Sequence, residues 1–120
     1  MEKISPKQKL ASFNEYWSPR IIGELNGQYV KLAKLKGEFV WHSHENEDEL
    51  FYVVKGTLEM EFRDRTETIE EGEMIIVPKG VEHFPRSKGE EVHVMLFEPK
   101  ETLHTGEVQH ELTNNDQQWI

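Results

Sequence analysis

There is no cysteine in the 120 residues, which excludes disulfides and thiolate metal sites and leaves only nitrogen and oxygen donors for any metal. Long apolar runs are missing too. No stretch approaches the roughly 18 residues of a membrane span, and Met1-Glu2-Lys3-Ile4 lacks the apolar core of a secretion signal. The expectation is a soluble, cytoplasmic protein with no membrane partner. Positive charge is scarce: 14 Lys and Arg stand against 23 Asp and Glu, for a formal net charge of −9. Such a field repels phosphate backbones and disfavours nucleic acid. Much of the acid lies in Glu45 to Glu49 and Glu67 to Glu73, which read as a solvated turn and a solvated hairpin edge, Glu49 excepted.

The length suits one domain, residues 1–120, with enough chain to bury a single core. Ser5-Pro6 before Lys7-Gln8-Lys9-Leu10-Ala11 predicts an N-cap, a proline at the first helical position and a short helix ending near Asn14 or before Ser18-Pro19. Residues 1–19 are thus expected to form a helical appendage. From Arg20 the chain reads as short strands between glycine turns. They are Ile21 to Leu25, Gln28 to Lys36, Glu38 to His44, Glu49 to Val54, Thr57 to Asp64, Glu67 to Glu70, Glu73 to Val77 and Glu90 to Glu98. Asn26-Gly27 between the first two is a strong hairpin signal. Leu58, Met60 and Phe62 alternate with Glu59, Glu61 and Arg63, as on a strand with one face buried. The fold class is all-β, a sandwich or barrel over residues 20–98. Met95-Leu96-Phe97 is apolar on both faces, so that strand is expected to be covered twice, by the interior and by the helix, the tail or another subunit. The tail, residues 99–120, is polar but ends in Trp119-Ile120, which predicts that its end docks.

His42-Ser43-His44, with Glu49 five residues on and His83 later, are the residue types that hold divalent metals. On a strand, His42 and His44 project from one face while Ser43 points away, and Phe39-Val40-Trp41 has strand composition. Glu49 opens a strand whose face continues through Phe51 and Val53. His83 follows the Pro78-Lys79-Gly80 turn, which can bring a late strand back across His42.

Two blocks carry these residues. The first runs Gly37, four residues, His42-Ser43-His44, four residues, Glu49, six residues, Gly56; the second runs Gly72, five residues, Pro78-Lys79-Gly80, two residues, His83. They closely resemble the two motifs of the cupin superfamily, small double-stranded β-helix or jelly-roll barrels. The spacer inside the first block is one residue shorter than is common, and Ser87 stands where many cupins carry asparagine. The resemblance implies that His42, His44, Glu49 and His83 are metal ligands, with two further positions open on a six-coordinate ion. It leaves Zn, Fe, Mn, Ni or Cu as candidate ions and implies a homodimer. Leu96-Phe97-Glu98-Pro99, Leu103 to Val108 and the terminal Trp119-Ile120 resemble the small single-domain cupins often labelled mannose-6-phosphate isomerase-like, a label that rests on fold.

Other residues stay open between two readings. His93 can face inward with Met95 and Phe97, as a catalytic or pocket group, or outward if Val92, Val94 and Leu96 fill the core. Arg86 can hold an anionic substrate or lie on the surface. Phe51 and Met60 can line a substrate pocket or belong to the core. Trp41, opposite in phase to His42, is expected to pack outside the pocket, with Phe39 on the same face. His104 and His110 are expected in solvent. The functional expectation is Lewis-acid coordination of a small polar molecule. Oxygen-dependent dioxygenase, sugar isomerase or epimerase, and non-enzymatic binding module are the rival classes.

Overall fold

The computed structural model describes residues 1–100 and 117–120. One helix, α1 (Pro6–Leu10), precedes eight strands: β1 (Arg20–Leu25), β2 (Gln28–Leu35), β3 (Glu49–Lys55), β4 (Leu58–Phe62), β5 (Thr66–Ile69), β6 (Met74–Val77), β7 (His83–Arg86) and β8 (Val92–Pro99). A two-residue strand, β9 (Gln118–Trp119), follows. They form a six-stranded sheet in the order β6-β3-β8-β2-β1-β9 and a three-stranded sheet in the order β5-β4-β7. Facing sheets of this kind make the jelly-roll barrel that the strand spacing predicts.

Local chemistry explains the elements. Asn26 and Gly27 both take positive φ, 51° and 75°, the pair of left-handed residues that a two-residue hairpin turn demands, and Leu25 pairs with Gln28 across it. In α1, Ser5 Oγ accepts from Gln8 N at 3.3 Å and Pro6 occupies the first turn. The helix stops at Leu10, four residues short of Asn14 by the numbering.

Strand alternation sorts residues onto two cores. Between the sheets lie Leu58, Met60 and Phe62 of β4, Phe51 and Val53 of β3, and Val92, Val94 and Leu96 of β8. Outside the six-stranded sheet, Leu10, Phe13, Ile22 and Leu32 form a second cluster against which Met95, Val54 and Ile120 pack. The N-terminal segment is therefore more than an appendage, because Leu10 and Phe13 cover the sheet's outer face while Trp17 enters the inner core. The second apolar face of β8 is covered, at Met95, by the chain's own helix and end. Ile120 N donates to Ile21 O at 3.1 Å and Lys9 Nζ to Ile120 O at 2.5 Å, so the end does dock. Leu103 to Val108, His104 and His110 lie outside the described residues.

Glu38 to His44 is not the strand that its composition predicts. It runs along β7 with only two bridges, Glu38 to Arg86 and His42 to His83. Four residues separate the bridged positions on one side and three on the other, so one extra residue bulges out. Phe39 N donates to Pro85 O at 3.0 Å, and proline, lacking an N–H, cannot return the bond. The bulge also changes the phase. Phe39 turns inward and is buried, stacked on Trp17 and edge-on to His42, while Trp41 stays outside against Phe84 and Arg63.

Candidate metal centre

Four elements converge at one end of the barrel. His42 and His83 exchange both backbone hydrogen bonds, N to O at 3.0 and 2.9 Å. Glu49 is the first residue of β3, and its pairing with Val77 of β6 sets it facing the core. His44 is pinned by its carbonyl, which accepts from Gly80 N at 2.8 Å, while Asp48 Oδ1 accepts from Lys79 N at 2.9 Å. The two turn segments, 43–48 and 78–81, are thus tied together, and one ligand atom from each of His42, His44, Glu49 and His83 lies within 4.8 Å of the others. All four residues are buried.

The tautomers follow from the partners. His42 Nδ1 lies 2.9 Å from Val40 O and His83 Nδ1 lies 2.9 Å from Val81 O. A carbonyl only accepts, so Nδ1 carries the proton in each ring and the lone pair sits on Nε2. That is the arrangement in which a backbone carbonyl orients a metal-binding imidazole. His83 Nε2 is buried with no hydrogen-bond partner, 3.8 Å from Glu49 Oε1. His44 Nε2 approaches the same oxygen at 3.1 Å.

Electrostatics sharpen the picture. Burial, with the neighbouring His83 charge, pushes the His42 pKa down to about 3. Burial lowers His44 too, but the hydrogen bond and charge of Glu49 outweigh it and leave its pKa raised. Burial would raise Glu49; the hydrogen bond and charge of His44 prevail and hold it well below the usual carboxylate range. Near Glu49, burial and the Glu49 charge push Glu98 well above that range, and its Oε2 is buried without a hydrogen-bond partner. Lys31, 1 % exposed, reaches Glu98 Oε1 at 2.9 Å. A buried carboxylate among three imidazoles, one of them with an orphaned nitrogen, suits a divalent cation, since burying such groups uncompensated costs on the order of several kcal/mol.

Nothing in the sequence assigns Glu98 to the cluster, although it continues the inward register of Val92, Val94 and Leu96 along β8. Trp17 was missed as well, for it belongs to no strand and enters the barrel from the N-terminal segment. Of the other candidates only Phe51 lies beside the cluster. His93 lies on the outer face of β8, bonded to the Glu91 carboxylate, and lines a groove with Lys7, Lys34 and Lys55. Arg86 alternates outward from His83 and is paired with Glu59 and Glu61. Met60 is fully buried in the inner core, and Phe51 lies near the centre, 6.3 Å from the His83 ring centroid. Ser87 is tied to Gly37: Gly37 N donates to its Oγ at 2.9 Å and its own N donates to Gly37 O at 2.8 Å.

The family model described as a cupin domain matches residues 28–99. An uncharacterized protein, YdbB, from Bacillus subtilis is 38% identical over 82 residues, which cover 68% of this chain and 66% of the relative, just under two thirds of its length. A crystal structure of a cupin-2 domain containing protein from Shewanella frigidimarina is 48% identical, with a TM-score of 0.79 over 81% of this chain and 94% of that one. The crystal structure of NMB1881 from Neisseria meningitidis is 41% identical, with a TM-score of 0.75 over 82% of this chain and 100% of that one.

Proposed function

Because this chain belongs to the cupin family, we propose that it is a metal-dependent enzyme whose His42, His44, Glu49 and His83 hold one divalent ion for work on a small molecule. The observation that carries the reading is His83 Nε2, a lone pair buried without a partner among three other donors. The ion, when bound, supplies Lewis-acid polarisation of a substrate oxygen. The chain's own residues do the rest. Val40 O and Val81 O aim the two imidazoles, and Glu49 neutralises part of the charge. Zn, Fe, Mn, Ni and Cu all suit a donor set of this kind.

Sugar-phosphate isomerisation needs an acid–base residue and an anion site facing the substrate. The two candidates for those roles are committed elsewhere, Arg86 to Glu59 and Glu61 and His93 to Glu91, which favours a dioxygenase or other Lewis-acid reaction. Elemental analysis of tag-free protein purified without chelators tests the reading. It should find close to one metal ion per chain, and His44→Ala, Glu49→Ala and His83→Ala should each lose it while keeping the far-ultraviolet dichroism of the fold. Unchanged stoichiometry in those variants would sink the assignment.

A further inference from the structure

A second feature touches the cluster through His42. Between the sheets, a small cavity of about 30 Å³ opens beside this ring, walled by Leu35, Phe51, Val94 and Leu96 and by the stacked pair Trp17 and Phe39. That is room for about two waters, each needing roughly 10–15 Å³ of such space, or for a few carbon atoms. Trp17 and Phe39 stack with ring centroids 4.6 Å apart and planes 11° apart, and Phe39 meets His42 edge-on at 5.4 Å.

The position of Trp17 is specified in detail. Its φ of 57° is left-handed, a conformation that bulky residues rarely adopt. Its backbone N donates to Lys34 O at 2.9 Å and its indole Nε1 to Lys36 O at 3.0 Å. The indole's one polar atom is thereby spent on the backbone, and the ring offers the cavity only carbon. No lining residue is charged, and its two prolines, Pro19 and Pro85, bring no N–H. A hydroxyl, carboxylate or phosphate placed here would go unpaired, whereas a carbon-lined space of this kind stays dry and accepts apolar groups.

We propose that this cavity receives the body of the substrate and selects a small apolar one, with Trp17 as the specificity-determining residue. The ligand is then an oxygen-bearing chelating head with a short uncharged hydrocarbon body, in place of a polyhydroxylated or phosphorylated molecule. The head's position rests on the metal centre proposed above; the body's position rests on the cavity.

The test uses probes that share one chelating head. Metal-loaded full-length protein is titrated by calorimetry with acetohydroxamate, butyrohydroxamate and the monohydroxamate of succinic acid. Two added methylenes should tighten binding about tenfold, and the anionic probe should bind no better than acetohydroxamate. Trp17→Ala, which opens the wall, and Ala33→Val, which adds bulk at another lining residue, should both abolish the preference for butyrohydroxamate over acetohydroxamate. Ala33→Val carries the test if Trp17→Ala does not fold. Equal affinities for all probes, tightest binding of the anionic one, or an undiminished preference in the variants would overturn the proposal. Should the protein take up no metal, the metal reading fails alone. Butan-1-ol, which needs no ion, should still shift the methyl resonances of Leu35, Val94 and Leu96, and unmoved methyls would overturn the cavity's role.

Discussion

His42 and His44 stand with ring centroids 5.1 Å apart, yet they hold protons in opposite ways. His42, pushed by burial to about 3, is neutral at any pH a cell reaches, while His44, raised by Glu49, binds a proton in competition with a metal. Metal affinity should therefore be level at high pH and fall about tenfold per pH unit below the His44 pKa. Titration with Zn from pH 8 to pH 5 checks this, and an affinity level throughout that range would assign the controlling proton elsewhere. Metal-free stability responds differently. The depressed His42 value means that the unfolded chain takes up a proton first, so stability falls as pH drops from about 6.5 toward 3, by an amount on the order of several kcal/mol. His44 offsets part of this, because its raised pKa gives stability that is complete below 6.5 and lost as pH rises through the folded value. Urea midpoints of chelator-treated protein should accordingly be lower at pH 4.5 than at pH 7. Glu98 carries a third prediction. Glu98→Ala leaves the buried Lys31 ammonium without its hydrogen-bond acceptor and should cost about 1.5–3 kcal/mol, whereas Glu98→Gln, which keeps an acceptor for Lys31, should cost clearly less by urea denaturation.

Turns and edges decide how the strands present these residues. Gly56 and Gly72 both have positive φ, 85° and 81°, but their surroundings differ. A Cβ at Gly56 would stand 2.8 Å from Glu91 O and 3.3 Å from Val92 Cα, whereas one at Gly72 meets nothing within 4 Å. Gly72→Ala should cost about 1–2 kcal/mol for the backbone alone, and Gly56→Ala more, because the β3–β4 turn must move off β8. Comparable urea midpoints for the two variants would show that the close approach yields freely. The bulge beside β7 works at the same scale. Inward positions fall at Phe39, His42 and His44, a spacing of three and then two, so the histidine pair keeps strand geometry while Phe39 changes face. Regular alternation placed Phe39 with Trp41; Pro85 on the facing strand, with no N–H to give, is the residue that breaks the ladder.

The whole molecule depends on both of its cores. The outer one is assembled from residues distant in sequence: Leu10 and Phe13 before the first strand, Leu32 and Met95 in the sheet, and Ile120 at the far end. Deleting residues 118–120 removes β9, the Ile120 contact and the Lys9 Nζ bond to Ile120 O. Thermal denaturation should show the truncated chain less stable by about 1–3 kcal/mol, with metal stoichiometry unchanged because the four donors lie at the other core. A truncation without effect on the melting temperature would mean that Leu10 and Phe13 suffice as cover. No helix among the described residues is long and apolar enough to cross a membrane.

The sequence by itself determined the elements and the identity of the clustered donors. Asn26-Gly27 requires left-handed φ, Ser5-Pro6 starts a helix, and the alternation in β4 declares a buried face. His42, His44, Glu49 and His83 stand out because they are metal-type side chains set in two blocks that resemble the cupin motifs. Only the tertiary structure decided which face of β8 looks inward, and with it that Glu98 lies behind Glu49 and His93 outside. The reason is physical: a period of two divides a strand into two faces but does not rank them, and β8 is apolar on both. It took the opposing sheet to claim Val92, Val94 and Leu96, and α1 with Ile120 to claim Met95. Trp17 required the same information, since its place over Phe39 depends on a chain reversal that no periodicity records.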